Sequence, residues 1–196
     1  MRNTIVTIGV ILIVLVIIVL TGIGAYNGLV SREEGVKSQW AQVENVYQRR
    51  ADLIPNLVET VKGYADFEKS TLEAVIEARS KATAVNINPE KLDAESLKAF
   101  QQSQDNLSSA LSRLMVVVEQ YPNLKANQNF LELQAQLEGT ENRITVERQK
   151  FNDTARAYNT FIRKFPKNIF ASMFGFEKKA YFEAAEGSDK APQVKF

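Results

Sequence analysis

The chain contains no histidine and no cysteine. Those two absences exclude Ser-His-Asp and Cys-His nucleophiles, thiolate metal sites and structural disulfides. They also exclude a carboxylate di-iron bundle, which needs Glu-x-x-His on two helices. A charge excess is missing too: 24 Lys+Arg face 23 Asp+Glu, a formal net charge of +1. Proteins that coat nucleic acid carry a clear basic excess, so nucleic acid is not an expected partner. There is no Gly-rich phosphate loop either. What remains is an ordinary folding composition, 45% hydrophobic and 24% charged. The 196 residues suit one domain of roughly 150 residues and an extension.

The extension is residues 5–25, IVTIGVILIVLVIIVLTGIGA, a run without charge. At about 1.5 Å per residue it matches a bilayer core of roughly 30 Å. A cleaved signal peptide has a shorter apolar region and an A-x-A-like site, which this stretch lacks. A retained single membrane span is therefore expected. Sidedness stays open, because Arg2 on one flank nearly balances Arg32 and Lys37 on the other. Gly24 and Gly28 form a small-xxx-small pair at the end of the run. Such pairs let membrane helices approach closely, although glycine is also simply common there. Beyond Arg2 the basic and acidic residues balance, so attraction to anionic lipid is not the main binding term.

Residues 28–84 carry helical rather than strand periodicity. Trp40, Tyr47, Ile54, Val61 and Val75 sit seven or fourteen apart, with Val43, Ala51, Val58, Ala65 and Leu72 between them. The stripe crosses Pro55 without a slip, which favours one long kinked helix over a hairpin at that proline. Such a helix overhangs its partners as a stalk, or else folds back at Pro55. Asn88 is expected as N-cap and Pro89 as the first residue of a second helix. Its stripe is Leu97, Phe100, Gln104, Leu107, Leu111, Leu114, Val118 and Tyr121, ending before Pro122. A third stripe runs from Phe130 through Leu137, Glu141, Ile144, Arg148, Phe151, Ala155 and Tyr158 to Phe165, and Pro166 ends it. The fold class is all-α: a transmembrane helix continuing into an elongated antiparallel helical bundle. The divisions are an anchor at 1–27, a bundle at 28–182 and a flexible tail at 183–196.

The segment after Pro166 collects Phe170, Phe174, Phe176, Tyr181 and Phe182. It either docks on the bundle through these rings or presents Phe170, Phe174 and Phe176 to lipid or a partner. Three charges fall on core stripes: Glu68, Glu141 and Arg148. Buried unpaired charge costs several kcal/mol, so they are expected to pair with one another or with Arg49, Arg50, Arg79 or Arg143. A polar layer fixing helix register is the plain reading. A metal or acid/base site is the alternative, but two Glu without His make a weak donor set. No catalytic, cofactor-binding or metal-ligating residue is expected.

The stretches RADLIPNLV at 50–58, YPNLKAN at 121–127 and LEGTENRI at 137–144 are specific in combination. With the anchor and FASMFGF at 170–176, they make the chain resemble the LemA family of bacterial membrane-anchored helical proteins over nearly its whole length. The family's usual histidine in the GYA-x-HE position is Phe67 here. A role that depends on that histidine is therefore absent. The resemblance implies a scaffold-like or membrane-organising protein of a bacterial membrane and brings no enzymatic activity. On its motif positions Arg50, Asn56, Glu68, Tyr121, Asn127, Glu141, Asn142, Arg143, Arg148, Asn152 and Asn159 read as a structural or assembly core. The leading expectation is a non-enzymatic homo-oligomeric scaffold that shapes or braces lipid membrane. The alternative is an adaptor for a membrane protein such as a protease, and a third is a hydrolase using Glu68 and Glu141.

Overall fold

The structure is a computed structural model that describes residues 2–63 and 68–183. Ala65, Phe67, Phe196 and the expected tail beyond 183 lie outside the described residues. Among those described, all the regular secondary structure is helical and no strand occurs.

Helix α1 (Arg2–Lys62) is continuous for 61 residues, roughly 90 Å at 1.5 Å per residue. Its side chains are almost all exposed up to Gly24, and burial begins at Ala25 and Leu29. That first third is long and apolar enough to cross a membrane. The remainder is the central rod of a four-helix assembly. α2 (Lys69–Ala84) runs back along it, α3 (Ala94–Val118) turns again, and α5 (Gln128–Arg163) returns toward the anchor. A single turn, α4 (Pro122–Lys125), joins α3 to α5, and α6 (Lys167–Met173) follows. α1 packs chiefly on α5, and α2 on α3.

Two expectations are corrected here. Residues 28–84 are not one helix: α1 stops at Lys62, Gly63 is in a turn, and α2 starts at Lys69. The heptad phase survives this break because α1 and α2 contribute to the same core, through Ile54, Leu57, Val58 and Val61 on one side and Leu72, Val75 and Ala82 on the other. There is thus no overhanging stalk, since the fold-back leaves the bundle half of α1 about as long as α5. Nor does Asn88 cap a helix. Its side chain accepts from the Glu90 amide, and its carbonyl from Lys91, closing a turn. The cap of α3 is Asp93, which accepts from the Ser96 amide at 2.8 Å.

Pro55 lies inside α1 without ending it. A helical proline has no N–H for the carbonyl four residues earlier, which here belongs to Ala51. That orphaned carbonyl accepts from Arg79 Nε of α2 at 2.7 Å. Tertiary structure thus satisfies the acceptor that proline leaves open.

The core has two parts. Near the anchor, Trp40 meets Phe100 and Phe151 edge-on at 5.3 and 5.6 Å and stacks on Phe182 at 6.0 Å. Toward the far end, the α1–α2 residues pack on Leu107, Leu111, Leu114, Phe130 and Leu137.

Two outcomes test this packing. Trp40→Ala, which removes the indole packed on three rings, is expected to cost about 3–5 kcal/mol in denaturant unfolding. Arg79→Met is expected to cost about 1–3 kcal/mol by leaving the Ala51 carbonyl unpaired. In a Pro55→Ala background the restored amide reaches that carbonyl, so the loss shrinks and a double-mutant cycle gives a non-zero coupling.

Candidate functional site: a polar layer and an asparagine-clipped strap

Between the two core parts lies Arg50, only 1% exposed. Its position on α1 follows from the helical stripe, which turns it inward beside Tyr47, Ala51 and Ile54. A buried guanidinium is stable only when its donors are met. Nη1 donates to Glu141 Oε1 at 2.5 Å and to Ser108 Oγ at 2.8 Å. Nη2 donates to Gln104 Oε1 at 2.5 Å, and Nε alone is buried without a hydrogen-bond partner among the described residues. Gln104 Nε2 in turn donates to the Ala82 carbonyl at 3.2 Å. One cation therefore gathers α1, α3 and α5 directly and α2 through an amide. The Tyr47 ring lies 5.2 Å from the guanidinium carbon.

The three stripe charges do not meet one another. Glu141 pairs with Arg50, whereas Glu68 is exposed at the N-cap of α2 and accepts from Ser70 Oγ at 2.9 Å. Eleven residues of α2, roughly 16 Å, separate Glu68 from Arg79 at the level of Ala51. A joint Glu68–Glu141 site is therefore contradicted by geometry. Arg148 donates to the Glu183 carbonyl at 3.1 Å and lies over the Phe182 ring at 4.7 Å. Asn56, Asn142 and Arg143 are exposed. Among the described residues no group of three or more acidic side chains could hold a metal ion.

The second feature was only half visible in the sequence. Residues 177–183 form an extended strap along α5. Asn159 Nδ2 donates to the Lys179 carbonyl at 2.8 Å, and its Oδ1 accepts from the Lys179 amide at 2.9 Å. Asn152 does the same to Phe182, at 3.0 and 2.8 Å. The spacing explains the match. Seven residues of helix rise about 10.5 Å, and three residues of extended chain cover about 10 Å. Each amide imitates a neighbouring strand, with one donor and one acceptor.

Buried Lys179 locks the strap further. Its Nζ reaches Glu33 of α1 at 2.9 Å and the Glu90 carbonyl at 2.7 Å. The Ala180 amide donates to the Leu92 carbonyl at 2.9 Å. Tyr158 donates to the Glu177 carbonyl at 2.9 Å. Burial, reinforced by Glu33 and Glu177, pushes its phenol above the usual range. Nothing in the periodicity marked Glu33 or Lys179. The signal, in hindsight, is the pair of asparagines seven apart on one helical face.

The aromatic residues after Pro166 and the glycine pair meet at the anchor end. Phe170 faces Gly22, where a Cβ would stand 3.1 Å from its ring. Phe174 and Phe176 pack edge-on against Tyr26 at 5.0 and 6.0 Å. A Cβ on Gly28 would fall 2.8 Å from the Phe161 ring, whereas nothing lies within 4 Å of Gly24. Gly28 thus makes room for Phe161 of its own chain, and the two glycines do not act as one free pair.

A continuous anchor-to-bundle helix, an arginine layer and an antiparallel α1–α5 pair are now in place. The LemA family profile matches residues 39–196. The chain belongs to the LemA family. Among similar proteins, "Magnetosome protein MamQ" of Magnetospirillum gryphiswaldense is 28% identical over 200 residues, covering 92% of this chain and 74% of that protein. "Magnetosome protein MamQ 2" of Paramagnetospirillum magneticum is 29% identical over 84% of this chain and 66% of its own length. "Protein LemA" of Metamycoplasma hominis is 26% identical, covering 84% of this chain and 71% of its own. In this LemA-family chain the motif residues Arg50, Glu141 and Asn152 are engaged inside the bundle. Asn127 caps α5 by accepting from the Phe130 amide at 3.1 Å.

Asn159→Ala and Asn152→Ala are expected to detach the strap from that point onward. Amide exchange at Lys179 or Phe182 respectively accelerates, and each change costs about 1–3 kcal/mol.

Proposed function

We propose that this protein is a non-enzymatic, single-pass membrane scaffold that assembles laterally with copies of itself. The observation that carries the reading is Gly139. It sits mid-helix in α5, where glycine costs about 1 kcal/mol relative to alanine. Yet nothing lies within 4 Å of where its Cβ would be. The monomer does not need that glycine, and close approach of another helix does. Leu131, Ala135, Asn142 and Val146 continue the same exposed stripe at helical spacing.

The other supports are mechanical. α1 passes without interruption from the apolar run into the bundle, so each copy holds its bundle rigidly against the membrane. The buried polar groups are engaged with one another and with the strap. The relatives named for the magnetosome are consistent with a role in organising a larger structure. A deletion of residues 170–196 would not isolate an adaptor role, because it also removes Lys179 and Phe182 from the core.

Light scattering of the full-length protein in mild detergent tests the proposal. A large ordered assembly is expected for the wild type, and a strictly monomeric protein overturns the reading. Gly139→Leu with Val146→Lys is expected to reduce assembly by an order of magnitude in concentration. It should leave the melting temperature unchanged or a few degrees higher, because both positions are exposed and a mid-helix glycine is removed.

A further inference from the structure

We propose that α6 and Phe165 form an interfacial collar that dips into the lipid leaflet beside the exit of α1. The inference rests on residues 5–25 spanning a bilayer, and it goes beyond self-assembly.

The collar begins with position. Phe170 touches α1 at Gly22, three residues inside the end of the apolar run, and Phe174 touches it at Tyr26, one residue past that end. Three helical residues are about 4.5 Å. α6 therefore lies at the level where hydrocarbon gives way to headgroups. Tyrosine and tryptophan concentrate at that level in membrane proteins, and Tyr26 occupies it here.

The side chains agree with that depth. α6 is apolar on two sides. Phe170 and Ala171 face the protein. Ile169 and Met173, four apart on α6, are 55% and 64% exposed, and Phe165, just before the helix, is 81% exposed. Phe174 adds a ring that is 49% exposed. Phe170 packs at Gly22, between the exposed Leu20 and Ile23 of α1, so this apolar helix is docked on the apolar run itself. An apolar patch continuous with a membrane span is covered by the same solvent as the span.

Charge points the same way. Residues 160–176 contain Arg163, Lys164 and Lys167 and no acidic residue. Lys167 Nζ and the Arg32 guanidinium both lie over the Phe161 ring, at 4.0 and 4.4 Å. Aliphatic stems along a ring with cationic heads beside headgroup phosphates are the expected interfacial arrangement. The protein as a whole is nearly neutral, so this local cationic rim is a placement and not a consequence of composition. Anchored at α1 and at α6, a bundle resists tilting about its single span.

The absence of cysteine makes the test direct. Single substitutions Phe165→Cys, Ile169→Cys and Met173→Cys carry a nitroxide in the full-length protein. Val14→Cys reports the span, and Val116→Cys reports an exposed site on α3. The protein is placed in vesicles of phosphatidylethanolamine and phosphatidylglycerol. The accessibility of each label to oxygen, which partitions into lipid, is compared with its accessibility to a water-soluble nickel chelate. The expected result is a severalfold higher oxygen-to-nickel ratio at 165, 169 and 173 than at 116, though lower than at 14. Labels at all three collar positions as aqueous as that at 116, with position 14 in lipid, overturn the collar and leave the span intact. An aqueous label at 14 overturns the span itself. Collar labels shielded from both reagents and broadened by one another assign the surface to a second copy, which also overturns the proposal.

Discussion

The burial of one guanidinium organises this fold. Arg50 cannot be desolvated without acceptors on several sides, and no single neighbouring helix can supply them all. Glu141 arrives from α5, and Gln104 and Ser108 from α3. Gln104 carries the constraint on to α2 at Ala82. A slip of α1, α3 or α5 by one turn would strand a buried charge. The apolar parts on either side, around Trp40 and around Leu114, are then packed in one register rather than in several similar ones.

Cost and compensation recur at smaller scale. Pro55 removes a helical hydrogen bond from α1, and Arg79 on the next helix replaces it. The strap after α6 has no strand partner, and two asparagine side chains take that role. Lys179 is buried, and Glu33 together with the Glu90 carbonyl receives it. In each case a group that is locally unfavourable is satisfied by an element far away in sequence. These ties let a bundle with a strongly elongated shape behave as one body, continuous with the helix that leads out of it.

Much of the architecture was legible beforehand. Trp40, Tyr47, Phe100, Phe151 and Tyr158 fell on the expected stripes and are buried. Asn127, Asn152 and Asn159 were marked beforehand as structural residues, without the cap or the strap that they serve. The fold-back after Lys62 was not legible, because two helices feeding one core kept the same apolar phase across the turn. Glycine at 63 was the available signal. Glu141 meets Arg50, one of the expected partners, whereas Glu68 and Arg148 meet neither Glu141 nor each other, for a related reason. Periodicity says which side of a helix a residue occupies but not what lies across from it.

The sequence by itself determined that this is a helical protein with an apolar N-terminal run, amphipathic stripes and no residues for thiolate or imidazole chemistry. Those are properties of composition and of local period, and they hold in any arrangement of the helices. Only the tertiary structure decided which charge Arg50 meets, what rescues the carbonyl behind Pro55 and where the strap lies. It also decided that the rings after Pro166 stand level with the end of the apolar run. Such pairings join residues many turns apart, and their energies exist only once desolvation has made each polar group depend on a particular neighbour.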